Sequence, residues 1–241
     1  MCWGYDWYGE TSPPAGAFQS VSITDYHGCG VRADGTVACW GQDRQVGRLD
    51  EGKATPPVGA FASVSAGGRA TCGLRADGTA ACWGDTYVGN WMQPSDTFAA
   101  LSVGKFTACG IRSDGTVGCG RSLAWSQPTG TFRSISVGWH HACGVRTDGT
   151  VACWGYDNRW GEMSPPSGEF SSVSAGYVHT CGVRVDGSVI CWGDRGWQQS
   201  TPPAGTFVAV SAGQDHTCGV RTDGTAVCWG RNLGGQRDVQ R

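Results

Sequence analysis

Cys29-Gly30-Val31-Arg32-Ala33-Asp34-Gly35-Thr36-Val37-Ala38-Cys39-Trp40-Gly41 reads as two short strands around a three-residue turn. Ala33-Asp34-Gly35 is the turn, with Gly35 at the left-handed position that such hairpin loops need. The turn sets the register. Arg32 faces Thr36, Val31 faces Val37, Gly30 faces Ala38, and Cys29 faces Cys39. Residues directly opposed on antiparallel strands lie about 4.5–5.5 Å apart at Cα, which is disulfide range. Upstream, Ser20-Val21-Ser22-Ile23 reads as a first strand, A. Cys29–Arg32 is then strand B and Thr36–Trp40 strand C. A fourth strand, D, is expected in the variable stretch before Pro13-Pro14.

The same pattern occurs six times. Phe18, Phe61, Phe98, Phe132, Phe170 and Phe207 each stand eleven residues before the first cysteine of a pair, and successive copies begin 34 to 43 residues apart. The pairs are Cys29/Cys39, Cys72/Cys82, Cys109/Cys119, Cys143/Cys153, Cys181/Cys191 and Cys218/Cys228. The length variation falls between the Trp-Gly that closes one copy and the Phe that opens the next. A β unit repeated at this period predicts an all-β propeller of four-stranded blades. The expected organisation is a single domain over 1–241, with repeats near 12–41, 55–84, 93–120, 127–155, 164–193 and 201–230. Residues 1–11 supply a partial seventh blade. Met1-Cys2-Trp3-Gly4 is a seventh C strand without an A–B half, which reads as a truncated chain with Cys2 as the orphan of a seventh pair.

Composition narrows the function. The net charge is −2 with no Lys/Arg block, which argues against nucleic acid as a partner. No apolar run approaches the roughly 20 residues of a membrane helix. Six evenly stapled hairpins imply an oxidising compartment: extracellular, periplasmic or cell-surface. The cysteines are spaced unlike zinc knuckles, so no metal site is expected. No catalytic motif and no cofactor motif is present, and the chain is expected not to be an enzyme.

The unit Gly-x-x-His-Thr-Cys-Gly-Val-Arg-x-Asp-Gly-Thr-Val-x-Cys-Trp-Gly, most complete at 176–193 and 213–230, resembles the repeat of the regulator of chromosome condensation family. The resemblance covers nearly the whole chain and implies a propeller. The short repeats and the Trp-Gly-x-x-x-x-Gly-Glu/Gln stretches are more similar to the secreted bacterial branch, which includes a β-lactamase inhibitory protein. Family members do very different jobs, so the fold does not fix the function.

Repeated residues are assigned to structure. His27, His141, His179 and His216, two residues before a cysteine, are expected to cap the A–B turns. Trp40 and its equivalents are core, with room made by Ala38 and Gly30. Gly120 replaces the indole in the third copy, so that blade should pack less well. Arg32, Arg75, Arg112, Arg146, Arg184 and Arg221 should pack along their blades and bond to turn carbonyls or acids.

Function is sought in the variable loops. Strand alternation puts the A–B turns and C–D loops at one end of every blade. They carry Tyr5, Trp7, Tyr8, Tyr26, Arg69, Tyr87, Trp91, Phe106, Trp139, His140, Tyr156, Asp157, Arg159, Trp160, Tyr177 and Trp197. Aromatics and arginine dominate protein interface energetics. The expected function is a protein-binding scaffold, either an inhibitor or a surface recognition module. Docking is expected to centre on Trp139, His140, Tyr156, Trp160 and Tyr177. The alternative is a carbohydrate-binding propeller, in which aromatics stack on sugars.

Overall fold

The computed structural model describes residues 2, 4, 6–43, 52–85, 88, 92–93, 95–120 and 126–239. The strands form six antiparallel three-stranded sheets, each made of consecutive strands. The first is β1 (Ser20–Ile23), β2 (His27–Val31) and β3 (Val37–Gly41); the second is β4 (Ser63–Ala66), β5 (Ala70–Leu74) and β6 (Ala80–Gly84). The third is β7 (Phe98–Val103), β8 (Ala108–Arg112) and β9 (Val117–Cys119); the fourth is β10 (Phe132–Val137), β11 (His141–Arg146) and β12 (Val151–Gly155). The fifth is β13 (Phe170–Ala175), β14 (His179–Arg184) and β15 (Val189–Gly193); the sixth is β16 (Phe207–Ala212), β17 (His216–Arg221) and β18 (Ala226–Gly230). Two compact units result: Met1–Asp114 with Gly118–Ser122, and Gly115–Val117 with Leu123–Arg241.

The hairpin register is the expected one. Cys29 faces Cys39, Cys72 faces Cys82, Cys143 faces Cys153, Cys181 faces Cys191, and Cys218 faces Cys228. Gly35 has φ +81°, and Asp34 accepts from both the N–H (2.9 Å) and the hydroxyl (2.6 Å) of Thr36, which fixes the turn. These five pairs and Cys109–Cys119 are all disulfides within their hairpins, with Cα separations of 4.0–4.1 Å. That is closer than the general range. The turn bond from Arg32 N–H to Thr36 O leaves the cysteines at a non-hydrogen-bonded pair, the narrower of the two antiparallel positions. The two ends of a staple differ in burial. The B-strand cysteines Cys72 and Cys143 are fully covered, whereas their C-strand partners Cys82 and Cys153 are half-buried; in the last hairpin Cys228 is the buried end. Cys2 is the one free cysteine among the described residues. Digestion without reductant is expected to yield six intrahairpin cystine peptides and an alkylatable Cys2. Links between hairpins would refute this pairing.

The fourth strand does not appear among the described residues, and neither does a strand in residues 1–11. Three of the variable stretches, at 6–11, 158–163 and 194–199, are side-chain-braced turns. Glu10 accepts from Tyr8 N–H (2.8 Å), Glu162 from Trp160 N–H (2.9 Å) and Gln199 from Trp197 N–H (2.8 Å). Asp6 accepts from Thr11 N–H (2.9 Å), as Asn158 does from Met163 N–H (2.7 Å). Amides bonded this way are not free for a strand ladder. The buried Glu/Gln carbonyl then receives the core indole: Trp40 Nε1 bonds to Glu10 O (2.8 Å), Trp192 to Glu162 O (2.9 Å) and Trp229 to Gln199 O (2.8 Å).

The core lies between successive sheets. Cys143 and Val145 pack on Phe170 and Trp192 of the next sheet, with Cys153 against the same cluster, and Cys181 and Cys191 pack on Phe207 and Trp229. In the first unit Cys72, Ala70, Val103 and Ala108 form the matching cluster, and Cys82 packs against it. Within a sheet the phenylalanine meets the tryptophan edge-on or tilted, 5.6 Å apart for Phe18–Trp40 and 6.1 Å for Phe207–Trp229. Room for the first indole comes from Gly28 rather than Gly30: a Cβ at Gly28 would lie 2.6 Å from the Trp40 ring. Gly30 makes room for Phe18, whose ring would be 2.5 Å from a Cβ there. The repeated arginines behave as expected. Arg32 lies 5.4 Å over the Phe18 ring and bonds to Ala15 O (3.2 Å), and Arg184 lies 5.2 Å over Phe170 and bonds to Ser167 O (2.9 Å). In the third copy β9 keeps only three residues, where the other C strands have five.

The histidines do more than cap turns. His27 Nε2 lies 2.7 Å from Thr71 Oγ1 in the next sheet, His141 2.6 Å from Thr180, and His179 2.8 Å from Thr217. Each threonine hydroxyl donates onward to a carbonyl: Thr71 to Lys53 O (3.0 Å), Thr180 to Glu162 O (3.2 Å) and Thr217 to Gln199 O (3.1 Å). The hydroxyl lone pair is therefore left for an Nε2–H, which assigns that tautomer. These imidazoles hold neighbouring sheets together. His27 also approaches its own turn, with Nδ1 3.4 Å from Thr24 Oγ1, and the His179 and His216 rings lie against Gly176 and Gly213 of theirs.

Candidate functional site

Within a sheet, the A–B turn and the loop that follows the C strand lie side by side, and the reason is local. In every sheet but the third, the residue after the C strand donates its N–H to the A–B turn of the same sheet; in the third, Gly120 bonds to Ala108 O within β8 (2.8 Å). Gln42 bonds to Tyr26 O (2.7 Å), Asp85 to Arg69 O (3.0 Å), Tyr156 to His140 O (3.0 Å) and Asp194 to Val178 O (2.9 Å). In these sheets the loop that follows the C strand therefore starts beside the A–B turn. The Asp-Gly turns at the other end are occupied by packing: Gly149 O accepts from Phe170 N–H (2.9 Å) and Gly187 O from Phe207 N–H (2.8 Å). Cys82, Cys153 and Cys228 each stand two residues before the glycine that ends the C strand, so the staple anchors the strand from which the C–D loop departs.

In the second unit, Trp139 and Tyr177 come from turns of adjacent sheets and their rings lie 4.3 Å apart; His140 is 5.7 Å from Tyr177. A backbone bond holds the two turns together, Trp139 N–H on Gly176 O (3.2 Å), and the matching bond from Tyr177 N–H to Gly213 O (3.2 Å) ties the second turn to that of the sixth sheet. All three side chains are half-buried, which fixes them while leaving contact surface. Tyr156 is exposed and joined to this group through the His140 carbonyl. Trp160, on the same loop as Tyr156, is 53% exposed, with Asp157 and Arg159 also exposed. The observed cluster is thus Trp139, His140 and Tyr177, with Tyr156 at its edge. Further along, Trp197 lies under the Arg231 guanidinium (4.6 Å), which is paired with Asp215 (2.9 Å).

The first unit holds a different group. Arg69 lies 5.3 Å over Phe106, Lys105 5.7 Å from the Tyr26 ring, and Lys53 5.2 Å from the same ring. Arg69 also approaches Asp85 at 3.8 Å. Desolvation, then the neighbouring Asp25 charge, raises the Tyr26 phenol pKa; desolvation lowers that of Lys105. Trp7 and Tyr8 are exposed on the braced turn before Glu10. Tyr5, Tyr87 and Trp91 lie outside the described residues.

Lys53, Lys105 and Arg231 were absent from the residues picked by sequence reasoning. Arg231 had a legible signal. It follows the last Trp-Gly, as Asp85 follows an earlier one, and its partner Asp215 occupies the turn position of Arg69. The two ion pairs are charge-reversed copies of each other.

Among the described residues, no three His, Cys, Asp or Glu side chains converge as metal ligands, and no helix is long and apolar enough to cross a membrane.

The comparisons with known proteins agree with the repeat. The regulator of chromosome condensation (RCC1) repeat matches at 18–45, 61–90, 132–159, 170–195 and 207–236, more than half of the chain, and the chain belongs to this family. Among curated proteins none matches. The chain is similar to the CRINKLY WD40 ectodomain of the Arabidopsis thaliana receptor kinase ACR4: 27% identity, TM-score 0.77, covering 97% of this chain and 89% of that one. It is equally similar to the ectodomain of the Physcomitrella patens receptor kinase CR4, at 27% identity and TM-score 0.77, covering 95% of this chain but 66% of that one. Yeast RCC1 (Prp20), solved bound to Kap60, shares the propeller fold at 17% identity and TM-score 0.70, over 88% of this chain and 69% of that one.

Proposed function

We propose that this chain is a non-enzymatic, extracytoplasmic recognition scaffold that binds a protein through its A–B turns and C–D loops. The observation that carries this reading is the Trp139–His140–Tyr177 cluster. Large aromatic groups held rigid across two sheets make anchors at low entropic cost. The exposed Tyr156, Trp160, Asp157 and Arg159 form its surround. Six disulfides support an oxidising compartment. In this reading the braced variable stretches stand where a fourth strand would lie, and residues 1–11 belong to a seventh, partial blade. The chain is an inhibitor or a surface recognition module according to its partner.

The test is capture of a partner from the native environment, followed by affinity measurements. Trp139→Ala and Tyr177→Ala are each expected to weaken binding by about 2 kcal/mol or more, roughly 30-fold, and Asp148→Ala at the opposite end by under about 1 kcal/mol. Parent-like binding by both aromatic variants would sink the proposed face. A glycan array run alongside tests the sugar-binding alternative; saturable glycan binding lost in Trp160→Ala would replace the protein reading.

A further inference from the structure

Trp197 lies outside the Trp139–His140–Tyr177 cluster, yet it is the more firmly held of two matching loop indoles. Trp160 and Trp197 occupy the same place in their braced turns, each donating its N–H to a buried Glu or Gln side chain. What differs is the ring. The Arg231 guanidinium lies 4.6 Å over Trp197, and Asp215 fixes that guanidinium at 2.9 Å. The Trp160 ring has no such clamp among the described residues. Gln199, which accepts the Trp197 amide, is fully buried and bonds to Asp194 (2.7 Å). Next to Trp197 stands Gln198 at φ +62°, where the matching turns have Gly9, Gly161 and Gly235 at +85°, +80° and +75°. It is the one non-glycine in the left-handed region among the described residues. Side chains kept in that region against the backbone preference cluster at functional sites. The clamp is also continuous with the aromatic cluster. Gly138 and Gly176 let successive A–B turns touch: a Cβ at Gly138 would run into Gly176 O, and one at Gly176 into Gly213 O. Tyr177 N–H bonds to Gly213 O, and in that same turn Asp215 O accepts the Arg231 N–H (2.8 Å) beside the ion pair. Contacts thus run unbroken from Trp139 to Trp197.

We propose that Trp197 is a second anchor of the same binding surface, that it takes an apolar segment of the partner, and that Arg231 and Asp215 are the residues that position it. This rests on the protein-binding reading above. Trp197 and Trp160 are equally exposed, 51% and 53%, so area does not separate them. Rigidity does, because a ring already fixed loses less freedom on binding. Arg231 is engaged by Asp215, so what the clamped indole offers a partner is apolar surface rather than charge.

The probe is a random peptide library displayed on phage and selected on the full, oxidised chain, because anchor regions carry most of the energy that such a selection finds. The selected peptides are expected to bind Trp197→Ala about 30-fold or more weakly, as they do Trp139→Ala and Tyr177→Ala. The loss in Trp160→Ala should be smaller, and Asp148→Ala should bind like the parent. Arg231→Gln should weaken binding about tenfold in the parent and no further in Trp197→Ala, since its effect passes through the ring. Thermal melts check that each variant folds. Peptides sensitive to Trp139→Ala but not to Trp197→Ala overturn the second anchor and leave the cluster standing. Dependence on Trp197 alone overturns the shared surface, and indifference to all three aromatics overturns the protein-binding reading with it. An Arg231→Gln loss that persists undiminished in Trp197→Ala overturns the clamp.

Discussion

Reduction of the six disulfides is expected to abolish cooperative folding at neutral pH. Each staple closes a short loop, with its cysteines ten residues apart. The chain-entropy estimate for such a loop is about 2.7 kcal/mol, or about 16 kcal/mol for six. A domain's whole stability is about 5–15 kcal/mol. The sulfurs are also core atoms: Cys29, Cys109, Cys143 and Cys181 have no exposure at all. Two thiols need more space than one cystine, so reduction disturbs the packing of Phe170 and Phe207 as well. Near-ultraviolet circular dichroism and thermal melts, with and without reductant, measure this. A reduced chain that melts cooperatively within a few degrees of the oxidised one would refute it.

Acid should destabilise the fold well before its carboxylates titrate. Burial lowers His27 and His179 to about 4 and His141 to about 3, from 6.5. Desolvation is the largest cause in each; Lys53 adds to it at His27, and neighbouring histidines add to it at His141 and His179. His216 is lowered as well, chiefly by burial. The folded state therefore holds these rings neutral while the unfolded chain binds protons below pH 6.5. Their contribution is complete above that pH and shrinks on acidification, until the folded values near 3–4 are passed. The slope is up to about 1.4 kcal/mol per pH unit for each ring, and so about 4 for three. The turn carboxylates Asp34, Asp77, Asp148, Asp186 and Asp223, lowered chiefly by the hydroxyl of a nearby Thr or Ser, act later. Their contribution is present above the unfolded carboxylate value and lost below it. Urea melts at pH 7, 6 and 5 should show the decline. Replacing His27, His141 and His179 with glutamine should flatten it. Equal stability of the parent at pH 7 and pH 5 would contradict this account.

What could be read from the sequence was whatever repeats locally. A three-residue turn ending in Gly35 dictates the register of Cys29 on Cys39, and no distant contact is needed to see it. That Arg32 packs along its own blade was legible for the same reason. The braces in the variable stretch were not legible, because Glu10 and Asp6 bond amides two and five residues away and leave no alternating pattern to recognise. The role of His27 was missed because its partner Thr71 lies in another repeat. The signal was present, as threonine beside cysteine wherever histidine precedes it, but it only becomes visible when neighbouring repeats are compared rather than aligned. In the candidate site, the shared end of the loops followed from strand alternation. Which aromatics touch did not: Trp139 meets Tyr177 because a sheet-to-sheet backbone bond brings their turns together.

The ten-residue reach of every cystine also bears on how the chain is made. Each of the twelve paired cysteines meets its partner within a single hairpin, so oxidation can follow the chain as it emerges, one hairpin after another. Mispairing demands a much wider excursion, because the next cysteine after Cys39 is Cys72. Short contours close fastest and at the smallest entropic cost. Thirteen thiols would ordinarily invite scrambling; in this arrangement the native set is the kinetically nearest one, and maturation calls for an oxidant far more than for an isomerase.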